Sequence, residues 1–158
     1  MKIARLTPFL SVSDQLIPQD LGVAAAQGFK TLVNNRPDGE RDDQPMSAAL
    51  AAEAQSLGLS YRHIPVVAGK ITDEDVEAFA KALNELQEPV LAFCRTGTRS
   101  TTLWALTAAS HLDPDAILKA AAAAGYDLEA LRPRLETRAH TGETSVGSPP
   151  HPLRRTGR

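Results

Sequence analysis

The sequence contains little of several residue types, and each scarcity narrows the kind of protein it can encode. Its 158 residues include one cysteine, Cys94. No disulfide can therefore form within the chain, and an unpaired thiol is typical of a reducing compartment. No apolar run approaches the roughly 18 residues that span a bilayer, and the first residues lack the cleavage pattern of a signal peptide. We therefore expect a cytoplasmic protein that does not bind membranes.

The chain also has almost no excess of positive or negative charge, and it has few aromatic residues. The net charge is −2, which gives no basis for binding nucleic acid. Aromatic residues make up 4% of a chain that is 42% hydrophobic, so the core is expected to be mostly Ala, Leu and Val. The length suits one domain. We predict a single domain over residues 1–136 and a disordered tail over residues 137–158, where Pro, Gly and Ser are frequent.

Strand-like and helix-like segments alternate along the chain. Short runs with strand character occupy residues 9–13, 30–35, 61–67 and 89–93. Helical patterns lie between them, and the one that begins at Thr72 has a capping signature with Asp75. This alternation predicts an α/β fold with a mainly parallel central sheet of about four strands flanked by helices. In such sheets the ligand site lies beyond the carboxyl ends of the strands.

The only thiol follows the most hydrophobic of these strands. A lone cysteine is most often a small buried hydrophobic residue, but the surroundings of Cys94 favour a reactive role. No acidic residue occurs between Glu88 and Asp113, whereas Arg95 and Arg99 flank the thiol closely. The segment also leads into a predicted helix, whose first N–H groups carry partial positive charge. Positive charge favours the thiolate, so Cys94 is the candidate nucleophile.

The residues around Cys94 also suit the binding of an oxyanion. Gly97 permits a tight loop with inward-facing backbone N–H groups, and Arg99 offers a planar fork for two oxygens. Ser100 can cap the following helix or donate a hydrogen bond to the thiolate. Asn35 and Arg36, which end the second strand at the same sheet edge, are candidates for lining the pocket. The predicted anion-binding residues are Arg95, Thr96, Gly97, Thr98 and Ser100.

The segment "FCRTGTRS" resembles the Cys-loop-Arg site of dual-specificity and tyrosine phosphatases and of rhodanese sulfurtransferases. With "NNRPDGE" and "HIPV", it is similar to the phosphatase-like family associated with beta-lactamase-hydrolase-like proteins, which also carries a sulfurtransferase label. The similarity extends over about residues 1–112. It implies a dual-specificity-phosphatase-like fold, with Cys94 as nucleophile and Arg99 as anion-binding residue.

Two departures from the phosphatase pattern favour sulfur over phosphate. Cys94 and Arg99 bracket four residues, where phosphatases of this architecture have five, and rhodaneses resemble this chain in the shorter spacing. Ala68 also stands where dual-specificity phosphatases typically place the Asp that protonates the leaving group. We therefore predict a rhodanese-like sulfurtransferase with a Cys94 persulfide intermediate. Thiosulfate or glutathione persulfide would be the donor and a thiol or cyanide the acceptor, with no metal or organic cofactor.

Two alternatives stay open at this point. The first is a phosphatase that acts through a phosphocysteine at Cys94. The second is a non-catalytic oxyanion-binding module that docks onto a sulfide-oxidising enzyme. A metallo-β-lactamase-fold persulfide dioxygenase is the expected partner, since the resembled family occurs beside such enzymes.

Overall fold

The computed structural model describes residues 1–144, which form an α/β fold around one five-stranded sheet. Its strands are β1 (Ala4–Thr7), β2 (Leu10–Ser13), β3 (Thr31–Asn34), β4 (Ser60–His63) and β5 (Val90–Phe93). The helices are α1 (Pro18–Ala26), α2 (Ser47–Ser56), α3 (Asp73–Glu85), α4 (Thr98–Ala108), α5 (Pro114–Ala123) and α6 (Arg132–Thr144), with a 3₁₀ turn at Glu129–Leu131. The predicted fold class is confirmed.

The strand order is β1-β2-β5-β3-β4, with β5 at the centre. Strands β2, β5, β3 and β4 run parallel, while β1 pairs antiparallel with β2. In the register of β3 and β5, Asn34 pairs with Phe93, so the two strands end at the same level. Cys94, directly after β5, therefore lies beside the residues that follow β3.

Alternate side chains of the central strands enter two separate cores. Leu91 and Phe93 of β5 pack with α1 and α2 on one face of the sheet. Val90 and Ala92 pack on the opposite face with α3, α4 and α5, where Trp104 is buried. All four residues of β5 are buried, as a strand covered on both faces requires. The site at its carboxyl end therefore rests on a rigid support.

Two features differ from the sequence-based predictions. The sheet has five strands because the four-residue β1 extends it at one edge. Helix α6 continues to Thr144, so residues 137–144 of the segment predicted to be disordered are helical. Arg138 secures this helix by donating from Nε to the Leu106 carbonyl at 2.8 Å. The remainder of that segment, residues 145–158, lies outside the described residues. Through residue 144, no helix is long and apolar enough to cross a membrane.

Candidate active site

The loop between β5 and α4 curls around the thiol of Cys94. Gly97 ends the loop with a φ of +97°, a left-handed conformation that glycine adopts without strain. This conformation directs the Gly97 N–H toward the thiol, and it donates to Cys94 Sγ at 3.1 Å. Cys94 is only 1% exposed. The loop therefore buries the sulfur and directs at least one backbone N–H toward it.

The first turn of helix α4, which follows the loop directly, contains backbone N–H groups that can also bind an anion. Arg99 and Ser100 lie in this turn, where backbone N–H groups have no partner within the helix. Thr101 closes the turn by donating from Oγ1 to the Gly97 carbonyl at 2.7 Å. These amides and the helix dipole favour an anion in front of the N-terminus. An oxyanion approaching Cys94 would meet them directly.

The guanidinium of Arg99 is fixed so that one of its edges is free. Nη1 donates to Glu40 Oε2 at 2.8 Å and to the Val66 carbonyl at 3.0 Å, and Nη2 donates to Glu40 Oε1 at 3.0 Å. A guanidinium has five N–H groups, so the Nε–H and one Nη2–H, which form the free edge, donate to no oxygen of residues 1–144. The hydrogen bond with Glu40, followed by the charge of Cys94 and a hydrogen bond with it, raises the pKa of Arg99. The free edge can bind two oxygens of an oxyanion.

Glu40 connects two buried arginines. Its Oε1 also accepts from Arg36 Nε at 2.8 Å. The hydrogen bond from Arg99, assisted by that from Arg36, lowers the pKa of Glu40 from 4.5 to about 2. Glu40 is therefore a carboxylate throughout the physiological range. It positions Arg99 and cannot serve as a proton donor.

Replacing Glu40 by Gln is expected to destabilise the fold in a pH-dependent way. Because the pKa of Glu40 is lower in the folded chain, the carboxylate stabilises the fold above about pH 4.5, and this contribution disappears as the pH falls toward 2. Loss of charge-assisted hydrogen bonds of this type costs about 1–3 kcal/mol. Urea unfolding should therefore show a larger difference between wild type and Glu40→Gln at pH 7 than at pH 3, where part of the contribution of the carboxylate is already lost.

Glu77→Gln is the matched control, since Glu77 is exposed on α3 and the substitution makes the same chemical change. This substitution should leave the unfolding free energy within about 0.5 kcal/mol of wild type at both pH 7 and pH 3. An equal cost for the two variants, or a cost of Glu40→Gln that does not depend on pH, would refute the positioning role.

Asn35 and Arg36 form buried hydrogen bonds next to the loop. Asn35 donates from Nδ2 to the Ile64 carbonyl and accepts from Ser100 Oγ at 2.8 Å. Arg36 donates from Nη1 to Gln15 Oε1 at 2.9 Å. Both are buried, and neither lines the cavity beside the loop. The sequence expectation that Ser100 caps the helix or donates to the thiolate is wrong, because its proton goes to Asn35 and Gly97 occupies the N-cap position.

Tyr126 braces the outer side of the loop. It follows α5 in the turn "GYD", and its Oη donates to the Thr96 carbonyl at 3.1 Å while lying against Gly97. Burial, then the charges of Cys94 and Asp14, raise the pKa of Tyr126, so it stays protonated as a donor. Neither Tyr126 nor Glu40 was found from the sequence. Tyr126 is 30 residues from Thr96 and Glu40 is 59 from Arg99, so no local spacing signals either contact.

A cavity of about 330 Å³ opens beside the loop. Arg95, Thr96 and Thr98 are exposed at its edge, and the Thr96 hydroxyl donates to Thr98 Oγ1 at 3.0 Å. Of the predicted site residues, Gly97 therefore contacts the thiol directly, whereas Arg95, Thr96 and Thr98 line the cavity beside it. The cavity is lined by Ala68, Gly69, Ile71, Arg95, Thr96, Thr98, Arg99, Thr102, Leu131 and Arg134.

The fold and the loop define the class of protein: the chain has the fold of dual-specificity and tyrosine phosphatases, with a cysteine and an arginine around an anion-binding loop. The family model described as "Beta-lactamase hydrolase-like protein, phosphatase-like domain" matches residues 2–111. The chain belongs to this family, as its resemblance predicted. Tyr126 lies beyond the matched residues.

Known proteins similar to the chain fall into two groups. Beta-lactamase hydrolase-like proteins of Agrobacterium fabrum and Xylella fastidiosa are 39% and 34% identical over 106 and 130 residues. These alignments cover 67% and 81% of this chain but 25% and 30% of those proteins, so the chain spans between a quarter and a third of their length.

Solved structures form the second group. A proposed phosphatase from Neisseria meningitidis is 38% identical with a TM-score of 0.80, covering 87% of this chain and 99% of that one. The structure of P. aeruginosa TpbA with pTyr is 18% identical with a TM-score of 0.62, covering 97% of this chain and 88% of that one. The second likeness concerns the fold alone.

The prediction of a sulfurtransferase is wrong. The chain belongs to a phosphatase-like family, and the similar structure from Neisseria meningitidis is described as a proposed phosphatase. That prediction assumed that the number of residues between Cys94 and Arg99 sets the number of backbone N–H groups that can bind an oxyanion. Because Arg99 and Ser100 lie in the first turn of α4, the helix N-terminus provides amides that the count omitted. A loop one residue shorter therefore does not exclude a phosphoryl group.

Proposed function

We propose that the chain is a cysteine-dependent phosphatase, a hydrolase that transfers a phosphoryl group to Cys94 and then to water. The observation that carries this proposal is the pairing of a thiol, approached by the Gly97 N–H at 3.1 Å, with the free edge of Arg99. A phosphoryl group presents several anionic oxygens, and both sets of donors would bind them. The family and the proposed phosphatase from Neisseria meningitidis support the same chemistry.

The reaction would take place in two displacements. Cys94 Sγ attacks phosphorus as the bond to the leaving oxygen breaks, giving a phosphocysteine. Water then attacks phosphorus and releases inorganic phosphate and the free thiol. Throughout both steps, Arg99 and the amides of the loop and of α4 would stabilise charge on the non-bridging oxygens.

Hydrolysis of 2,4-dinitrophenyl phosphate tests the proposal. This ester has a leaving group that needs no proton, so its turnover reports the nucleophile and the anion site alone. We expect equal amounts of phenol and inorganic phosphate, with inorganic phosphate as a competitive inhibitor. The proposal fails if the wild-type chain releases neither product above the rate without protein. The predicted partnership with a metallo-β-lactamase-fold enzyme stays a prediction.

A further inference from the structure

Among residues 1–144, no side chain that lines the cavity beside the loop can act as a general acid. The lining of the cavity includes arginines, threonines and apolar residues, but no Asp, Glu or His. It shares Arg95, Thr96, Thr98 and Arg99 with the phosphoryl-binding loop, so the part of a substrate beyond its phosphoryl group would enter this space. The leaving group must therefore depart among cationic and hydroxyl groups.

The carboxylates near the cavity already accept hydrogen bonds from other residues. Asp73, at the start of α3, accepts from Arg134 Nη2 and Arg138 Nη1, both at 3.1 Å. The hydrogen bond from Arg134 is the largest of the effects that lower the pKa of Asp73. Glu40 is ionised as described above, and Asp14, after β2, accepts from the Lys2 N–H and the Ser13 hydroxyl. None of the three belongs to the cavity lining.

Loss of a general acid typically costs 10²- to 10⁴-fold in rate. This cost falls on leaving groups that are strongly basic, such as the alkoxide of a serine or of a sugar alcohol. A leaving group that is stable as an anion avoids it. The site therefore selects substrates by the basicity of the oxygen that departs.

The positive charge in the cavity narrows the class of substrate further. Arg95 is exposed, and its side chain forms no hydrogen bond or ion pair with the residues described. Arg134 also lines the cavity, where Nη1 donates to the Ile71 carbonyl at 2.8 Å and Nη2 to Asp73 at 3.1 Å. Thr98 and Thr102 add hydroxyl groups to the lining. Two guanidinium groups and hydroxyls suit a leaving group that is itself a phosphate.

We infer that the substrate is a phosphoanhydride whose leaving group departs as a phosphate anion onto Arg95 and Arg134, an inference that rests on the proposed phosphatase function. Cys94 Sγ forms a bond to the terminal phosphorus while the bond from that phosphorus to the bridging oxygen breaks. The bridging oxygen keeps the electron pair and leaves without receiving a proton from the protein. Water then cleaves the sulfur–phosphorus bond and gives inorganic phosphate and a proton.

The test compares kcat/KM for inorganic pyrophosphate, glycerol 2-phosphate, phenyl phosphate and 2,4-dinitrophenyl phosphate. We expect pyrophosphate to exceed glycerol 2-phosphate by about 10²-fold or more. Arg95→Gln should lower the ratio of pyrophosphate to 2,4-dinitrophenyl phosphate turnover about tenfold. Arg62→Gln, a control on β4 in which the arginine pairs with Glu85, should leave that ratio unchanged.

Three results would overturn the inference while leaving the proposed function intact. One is equal turnover of glycerol 2-phosphate and pyrophosphate. Another is a ratio that Arg95→Gln does not change. The third is a 100-fold loss for phenyl phosphate, with 2,4-dinitrophenyl phosphate turnover preserved, in Asp14→Asn or Asp73→Asn, since this reveals a general acid. If the wild type hydrolyses none of the four compounds, the proposed function fails and the inference fails with it.

Discussion

Cys94→Ser is expected to lose at least about 10⁴-fold in the hydrolysis of 2,4-dinitrophenyl phosphate while keeping its affinity for phosphate. The thiol is 1% exposed at the base of the loop, and the Gly97 N–H is aimed at its sulfur. A serine hydroxyl occupies nearly the same volume but is a far weaker nucleophile at neutral pH. The substitution therefore removes the attacking group and leaves the anion donors in place.

Phosphate affinity separates this outcome from simple unfolding. A ligand that binds only the folded chain raises its melting temperature, so inorganic phosphate should stabilise Cys94→Ser about as much as wild type. Arg99→Ala should lose that stabilisation, because it removes the free guanidinium edge. A Cys94→Ser variant that keeps more than a tenth of wild-type turnover would show that the sulfur is not the nucleophile.

Gly97→Ala is expected to reduce both stability and activity strongly. Gly97 has a φ of +97°, and a Cβ placed there would collide with the ring and hydroxyl of Tyr126. Backbone strain of this kind costs about 1–3 kcal/mol, and displacement of Tyr126 adds to it the loss of the hydrogen bond to Thr96. We expect a decrease of about 2–4 kcal/mol in the unfolding free energy. Movement of the loop should also lower kcat/KM about 10²-fold.

Gly28 provides a matched control. Its φ is +98°, nearly the same as that of Gly97, but a Cβ there would meet open space. Gly28→Ala should therefore lose stability only through backbone strain, without a side-chain collision, and should leave kcat/KM unchanged. In a Tyr126→Ala background, Gly97→Ala should cost no more than Gly28→Ala, since the colliding side chain is gone. Equal costs for the two glycine substitutions in the wild-type background would contradict the bracing role of Tyr126.

The local features of the fold were predictable from the sequence. Strand β5 follows from its continuous apolar run, and the capping box at the start of α3 follows from Thr72 and Asp75, whose side-chain and backbone groups bond reciprocally. The position of Cys94 at the carboxyl end of the central strand followed from the alternation of strands and helices. These features depend on residues that are near one another in the chain.

The contacts that complete the site depend on distant residues. Glu40 belongs to "RPDGE", which has the composition of a turn, and only the fold brings it to Arg99. Likewise α6 is held by Leu135, which is fully buried in the core, and, within the segment predicted to be disordered, by polar contacts of Arg138 to Leu106 and Asp73. Composition alone therefore predicted disorder where the chain is helical. The choice between sulfur and phosphate failed for a similar reason, because amides of α4 contribute donors that loop length does not count.

Mass spectrometry of the chain quenched during turnover of 2,4-dinitrophenyl phosphate tests the central claim most directly. We predict that the wild-type chain gains the mass of one phosphoryl group and that fragmentation places it on Cys94. Cys94→Ser should show no such gain under the same conditions. Steady release of phenol by a chain that never carries a phosphoryl group, or a phosphoryl group on another residue, would contradict the account.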